Sequence, residues 1–149
     1  MSDFSERIVI RCPLAKAARH LSAYIASNAL PGRSGSVRLH LRLPAKFVEK
    51  PVVATLHPLR SLDDPYPTYS VVWEPEGGGP FPTFAGALAV EHVTEDAFRL
   101  ILAGHYEPPF GAPGQTFDAA AGRWIARAAA RELLRTIATF IEQAGGLAL

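Results

Sequence analysis

Residues 95–143 read EDAFRLILAGHYEPPFGAPGQTFDAAAGRWIARAAARELLRTIATFIEQ, and the change of period inside this stretch decides the fold. Up to Glu107 apolar residues recur at every second position, the pattern of a strand over Glu95 to Glu107. Pro108 to Gly114 then forms a stiff loop, and from Thr116 to Gln143 the spacing becomes helical over roughly seven turns. With Ile137 at the centre of the apolar stripe and about 100° of rotation per residue, Ala119, Gly122, Ala126, Ala130, Leu133, Leu134, Ile137, Phe140, Ile141 and Ala144 share one face. The first half of that stripe is small and the second half is large. Laid on a sheet, such a helix closes one end with its large residues. It leaves room at the other, so a cavity is expected under Ala119, Gly122, Ala126 and Ala130. Trp124 and Ile125 fall on the outward side.

Working back from this stretch, the strand pair 82–92 and 97–107 places Phe84, Gly86, Leu88 and Val90 with Phe98, Leu100, Leu102, Gly104 and Tyr106 on the face that the helix covers. The opposite face carries Ala85, Ala87, Ala89, Ile101 and Ala103, less polar than a solvated antiparallel sheet requires. That face could serve as a homodimer surface, or be an ordinary, mildly apolar exterior, since much of any folded surface is apolar. Earlier in the chain, Ile8, Ile10 and Cys12 alternate in a short strand that ends at Pro13, and Leu14 to Asn28 turns helical. The segment Asn28-Ala29-Leu30-Pro31-Gly32 stops that helix. Val37, Leu39 and Leu41 alternate with Arg38, His40 and Arg42, the clearest half-buried strand. Val52 to Leu59 is another strand, and Tyr66 to Glu74 carries Tyr69, Val71 and Trp73 on one face. Glu76 to Pro80 reads as a hairpin loop and Thr94-Glu95-Asp96 as a tight turn. The sum is a strand, a helix, about five antiparallel strands and a long C-terminal helix lying across a curved sheet, an α+β arrangement in one domain spanning 1–149.

Composition limits what this domain does. A formal charge of +1, from 15 basic and 14 acidic side chains spread along the chain, gives no footprint for nucleic acid or an anionic membrane surface. The single cysteine, Cys12, excludes an intrachain disulfide and a cysteine metal cluster, and reads as a small buried apolar residue. The charged start Met1 to Arg7 is no secretory leader. No run approaches about 18 apolar residues, so stable membrane insertion is not expected and a cytoplasmic protein is.

The run Phe81-Pro82-Thr83-Phe84-Ala85-Gly86-Ala87-Leu88, the run Leu100 to Gly111, and Asp118 to Ala130 with Gly122-Arg123-Trp124-Ile125-Ala126 resemble members of the SRPBCC, or START-like, superfamily over about the last 70 residues. The resemblance implies the helix-grip fold, a curved antiparallel sheet wrapped around a long C-terminal helix with a hydrophobic cavity between them. It also implies a range of roles, from lipid and polyketide binding to polyketide aromatase/cyclase activity. The superfamily usually shows seven strands and two short helices after the first strand. This sequence reads as about six strands and one clear helix.

The five histidines, His20, His40, His57, His92 and His105, make no metal-binding spacing, and neither a metal nor a cofactor is expected. His105 and Glu107 share the strand face opposite the cavity and read as an exposed pair. The three glycines Gly77 to Gly79 precede no helix and lack the lysine of a phosphate loop, and no serine sits in a nucleophile elbow. Better placed are Tyr69, Trp73, Tyr106 and Arg123. A phenol and a guanidinium at the roomy end of the helix could fix an oxygen of an otherwise apolar ligand. Arg123 could equally pair with Asp118 or Glu107 and tie the helix start to the sheet. The expected ligand site is Leu39, Leu41, Tyr69, Val71, Trp73, Phe84, Leu88, Leu100, Leu102, Tyr106, Arg123, Ala126 and Ala130. The expected function is binding or transport of a small hydrophobic molecule of the lipid, polyketide or isoprenoid class. The alternatives are an aromatase/cyclase-type enzyme that confines a reactive chain in the same cavity, or a protein-interaction module that uses the outer sheet face.

Overall fold

A computed structural model describes residues 2–41, 50–59, 66–77, 83–107 and 119–146. The elements are β1 (Ser2–Ile10), a 3-10 turn (Leu14–Lys16), α1 (Ala17–Asn28), β2 (Ala29–Leu30), β3 (Arg33–Leu41), β4 (Lys50–Leu59), β5 (Thr68–Pro75), β6 (Thr83–Thr94), β7 (Ala97–Glu107) and α2 (Ala119–Ile141), with a π-helical end at Glu142–Gly146. All strands pair antiparallel in one seven-stranded sheet of order β1-β7-β6-β5-β4-β3-β2. The expected loops at Pro108 to Gly114 and Pro80, and the helix start at Thr116, lie outside the described residues.

The sheet has one strand more than the sequence pattern shows, β2, which falls in the segment expected only to stop α1. Its two residues pair with β3 through Ala29↔Val37 and Leu30↔Arg33. Pro31 and Gly32 therefore form a two-residue turn as well as the stop of α1. Pro31 suits the first central position of a type II turn, and Gly32, at φ 73°, supplies the left-handed conformation needed at the second. Strand β1 is also longer than its apolar core suggests. Phe4, Ile8 and Ile10 face inward with Glu6 between them, and Cys12 is buried just past the strand end.

One face of the sheet is lined by successive cross-strand rows. Val37, Ala54, Trp73, Phe84 and Tyr106 form the first, and Leu56, Val71, Gly86, Gly104 and Phe4 the second. Tyr69, Leu88, Leu102 and Glu6 follow, then Val90, Leu100 and Ile8. Against this face α2 buries Ile125, Ala126, Ala129, Ala130, Leu133, Leu134, Ile137, Ala138 and Ile141. Each fully buried leucine or isoleucine there contributes about 1.5–3 kcal/mol.

Helix α2 departs from its sequence pattern at two positions. Ile125, expected outward, is buried at 7% exposure, because α2 packs against β1, β3, β7 and α1 together and its buried sector is wider than one stripe. Ala144, expected on the stripe, is exposed. It falls in the π-helical end, where the wider turn rotates it off the face.

The direction of α2 is fixed by polar contacts with β1. Arg131 Nε donates to Glu6 Oε1 at 2.9 Å, Arg127 Nε stands 3.8 Å from Glu6 Oε2, and the Arg11 amide donates to Glu142 Oε2 at 3.0 Å. The helix thus runs parallel to β1. Its small-residue half lies toward the Phe4 and Tyr106 end, and its large half toward Ile10 and Phe98.

On the other flank α1 buries Leu21 and Tyr24, with Tyr24 edge-on to Phe140 at 5.5 Å. Burial, and then the negative charge of Glu132, push the Tyr24 phenol up from its ordinary value of 10.0. Above pH 10 the unfolded chain releases this proton while the folded chain keeps it. The contribution is whole below that pH and is lost as pH rises toward the folded-state value. Tyr24→Phe should remove that loss. Urea titrations at pH 9 and pH 11 should show the parent protein losing more stability than the variant, by up to about 1.4 kcal/mol per pH unit. Equal losses would mean that Tyr24 ionises as freely in the fold as in the unfolded chain.

Candidate functional site

The inner wall is dominated by rings at one end. Trp73 stacks on Phe84 with centroids 4.2 Å apart and planes at 17°. Phe4 lies 5.3 Å from Phe84 and 6.0 Å from Tyr106. Phe84 reaches this position because Gly86 and Gly104 face each other across β6 and β7. With no Cβ on either, the sheet has a dent, and the Phe84 ring folds over it: an added Cβ would stand 2.6 Å (Gly86) or 2.8 Å (Gly104) from Phe84 Cζ. Phe4, inside the charged stretch Met1 to Arg7, completes the cluster. Continuing the alternation of Ile10 and Ile8 backward to Phe4 would have found it.

The small half of α2 covers this end. Ala126, Ala129 and Ala130 are fully buried, so short side chains on the helix meet long aromatic ones on the sheet. Of the expected site residues, Leu39, Tyr69, Val71, Trp73, Phe84, Leu88, Leu100, Leu102, Tyr106, Ala126 and Ala130 are all buried in one shell. Leu41 is the last residue of β3, in register with Lys50. Arg123 is exposed. Its rotation of about 40° from the stripe centre lies inside the sector that is buried further along α2. Arg123 makes no ion pair with a described residue, Glu107 included, while Asp118 lies outside the described residues.

Among the described residues, the buried side chains that are polar or charged by type come down to Ser36, bonded to Thr55 at 2.9 Å on the outer face. One polar atom of the aromatic cluster is left over: Trp73 Nε1 is buried and has no hydrogen-bond partner among the described residues. No group of three or more His, Cys, Asp or Glu among the described residues could hold a metal ion. The register that the sequence left open puts His57 opposite Ser70, on the outer face and exposed. His105 is half-buried and Glu107 exposed on that same outer side.

Two open clefts lie elsewhere among the described residues. One of about 500 Å³ is lined by Leu14, Ala15, Ala18, Tyr66, Pro67, His92 and Glu95, and one of about 320 Å³ runs between α1 and α2 from Tyr24 and Asn28 to Glu132 and Gln143. Neither touches the aromatic cluster. On the outer sheet face Ala85, Ala87, Ala89 and Ile101 are half-buried and Ala103 is exposed, while Leu59 and Val72 stand out at 49% exposure each.

A seven-stranded antiparallel sheet curved around a long C-terminal helix is the START-like, helix-grip fold. Solved structures with this architecture align along nearly the whole chain. A conserved protein from Geobacillus kaustophilus is 13% identical, with 97% of each chain covered and a TM-score of 0.62. A START superfamily protein from Mycobacterium smegmatis is 13% identical, covering 95% of this chain and 98% of that one, with a TM-score of 0.56. The Zhui aromatase/cyclase from Streptomyces sp. R1128 is 9% identical, covering 95% and 94%, with a TM-score of 0.51. No family model matches the sequence, and no curated protein does. No helix among the described residues is long and apolar enough to cross a membrane.

Proposed function

We propose that this protein binds or carries a small hydrophobic molecule, of the lipid, polyketide or isoprenoid class, between the inner sheet face and the first half of α2. The observation that carries the reading is the first half of α2: small buried residues lie over an aromatic wall, and Arg123 is exposed on a sector of the helix that is buried further along. Apolar walls with a few placed polar groups are the usual make-up of a ligand site. The wall is Leu39, Tyr69, Val71, Trp73, Phe84, Leu88, Leu100, Leu102 and Tyr106, with Ala126 and Ala130 above it and Arg123 at the mouth.

The second reading is an aromatase/cyclase-type enzyme, favoured by the fold shared with the Zhui aromatase/cyclase. Catalysis by proton transfer needs ionisable groups that converge in the site. Among the described residues no acid, histidine or cation is buried, which supports a carrier over an enzyme.

Native mass spectrometry of protein purified without detergent, followed by organic extraction, is expected to release a hydrophobic small molecule. A clean apo mass, with no thermal stabilisation by fatty acids, polyketides or isoprenoids, would refute the binding reading. The same spectra count subunits. A dimer that an Ala103→Glu change dissociates is expected if the outer face self-associates, and a monomer at high micromolar concentration removes that role.

Arg123→Ala should leave stability within about 0.5 kcal/mol, as exposed substitutions without partners do. It should weaken retention of any ligand with an acidic end. Loss of stability instead would mean that Arg123 is a structural tie.

A further inference from the structure

Trp73 is 0% exposed, and its indole N–H has no acceptor among the described residues. Taking such a donor out of water without a partner costs about 1–3 kcal/mol, and buried polar groups in folded proteins are seldom left this way. The residue is not peripheral. It projects from the inner face of β5 between Ala54 and Phe84, with its ring stacked on Phe84, at the end that the small half of α2 covers.

The chemistry of the missing acceptor is narrow. An indole N–H donates one hydrogen bond, accepts none and carries no charge. No cation is buried among the described residues, so a carboxylate or phosphate brought to this depth would lose its hydration with nothing to neutralise it. A neutral oxygen needs one donor only.

We propose that Trp73 Nε1 is the polar anchor of the ligand site. Its ligand is an apolar molecule with an uncharged carbonyl (ketone, ester, thioester or quinone) that accepts the indole hydrogen bond while the hydrocarbon lies against Phe84 and Tyr106. An anionic group on the same molecule stays outside, at Arg123. This assignment rests on the ligand-binding reading above and adds the functional group that is recognised.

The chain has two tryptophans, and Trp124 is 44% exposed, so Trp124→Phe leaves Trp73 as the sole indole. In a 1H–15N spectrum of that variant the single indole resonance is titrated with 2-undecanone, undecane and undecanoate at pH 8. The ketone should move the resonance downfield and bind about fivefold more tightly than the alkane. Neither undecane nor undecanoate should reproduce the shift. Adding Trp73→Phe should abolish the preference for ketone while alkane binding persists.

If ketone and alkane bind equally and the resonance stays put, the anchor assignment fails and the cavity reading stands. A resonance already bonded to an internal water that the ketone does not displace has the same consequence. If none of the three probes binds, the ligand-binding reading falls and the anchor with it. The titration requires no change at residue 73, so a poorly folding Trp73→Phe variant leaves the test intact.

Discussion

Gly86→Ala lowers the stability of the fold by about 3 kcal/mol, at the upper end of what overpacking a core costs. The new Cβ would overlap the Ala103 carbonyl oxygen and stand 2.8 Å from Gly104 Cα and 2.6 Å from Phe84 Cζ. A phenyl ring can tilt away, but the first two contacts are with backbone of the neighbouring strand. Relief therefore requires β6 and β7 to part and their ladder bonds to lengthen. Urea unfolding followed by circular dichroism measures the loss. The double variant Phe84→Ala/Gly86→Ala separates the causes. If removing the ring brings the cost of the glycine change below about 1 kcal/mol, the ring sets it; persistence of the cost identifies the backbone. Gly104→Ala should behave alike, since its Cβ would meet the Ala85 carbonyl and Gly86 Cα.

Phe84→Ala is expected to cost about 4 kcal/mol, in the range for deleting a buried phenylalanine. The ring is buried, touches Trp73 and Phe4, and fills the dent over two glycines that have no side chains with which to collapse into the gap. The near-ultraviolet circular dichroism of Trp73 should weaken in the same variant, because its stacking partner is gone. A loss below about 1.5 kcal/mol would mean that the surrounding chains close over the space, and that this end of the core is softer than its burial suggests.

The helix-bearing stretch was legible because both of its periods are long and uninterrupted. The faces of β6 and β7, the small-then-large stripe of α2 and the antiparallel order all follow from positions such as Leu88, Leu102, Ala126 and Leu133. What escaped is short-range or cooperative. Strand β2 has two residues, too few for any period, and its turn Pro31-Gly32 is spelled like a helix stop. Ile125 is covered by neighbours that its own helical pattern does not encode. Ala144 depends on a change of helical pitch. Gly86 and Gly104 were placed on the correct face, but a dent exists only once they stand opposite each other, and cross-strand register is a property of pairs. The same limit applies to the site. Its apolar wall could be read residue by residue, whereas whether the Trp73 indole N–H meets an acceptor depends on everything around it.

The stitching of α2 to β1 ties residues 125 and 131 positions apart in the chain, and this sets an order of assembly during synthesis. The β3 to β7 meander is built of neighbours in sequence and can zip as it emerges. The first strand cannot take its place beside β7 until β7 has been made, nor close its contacts with Arg127, Arg131 and Glu142 until α2 follows. At about 5–20 residues per second, it waits on the order of ten seconds with Phe4, Ile8 and Ile10 uncovered. A strand made before its partners is thus among the last parts of the fold to be sheltered.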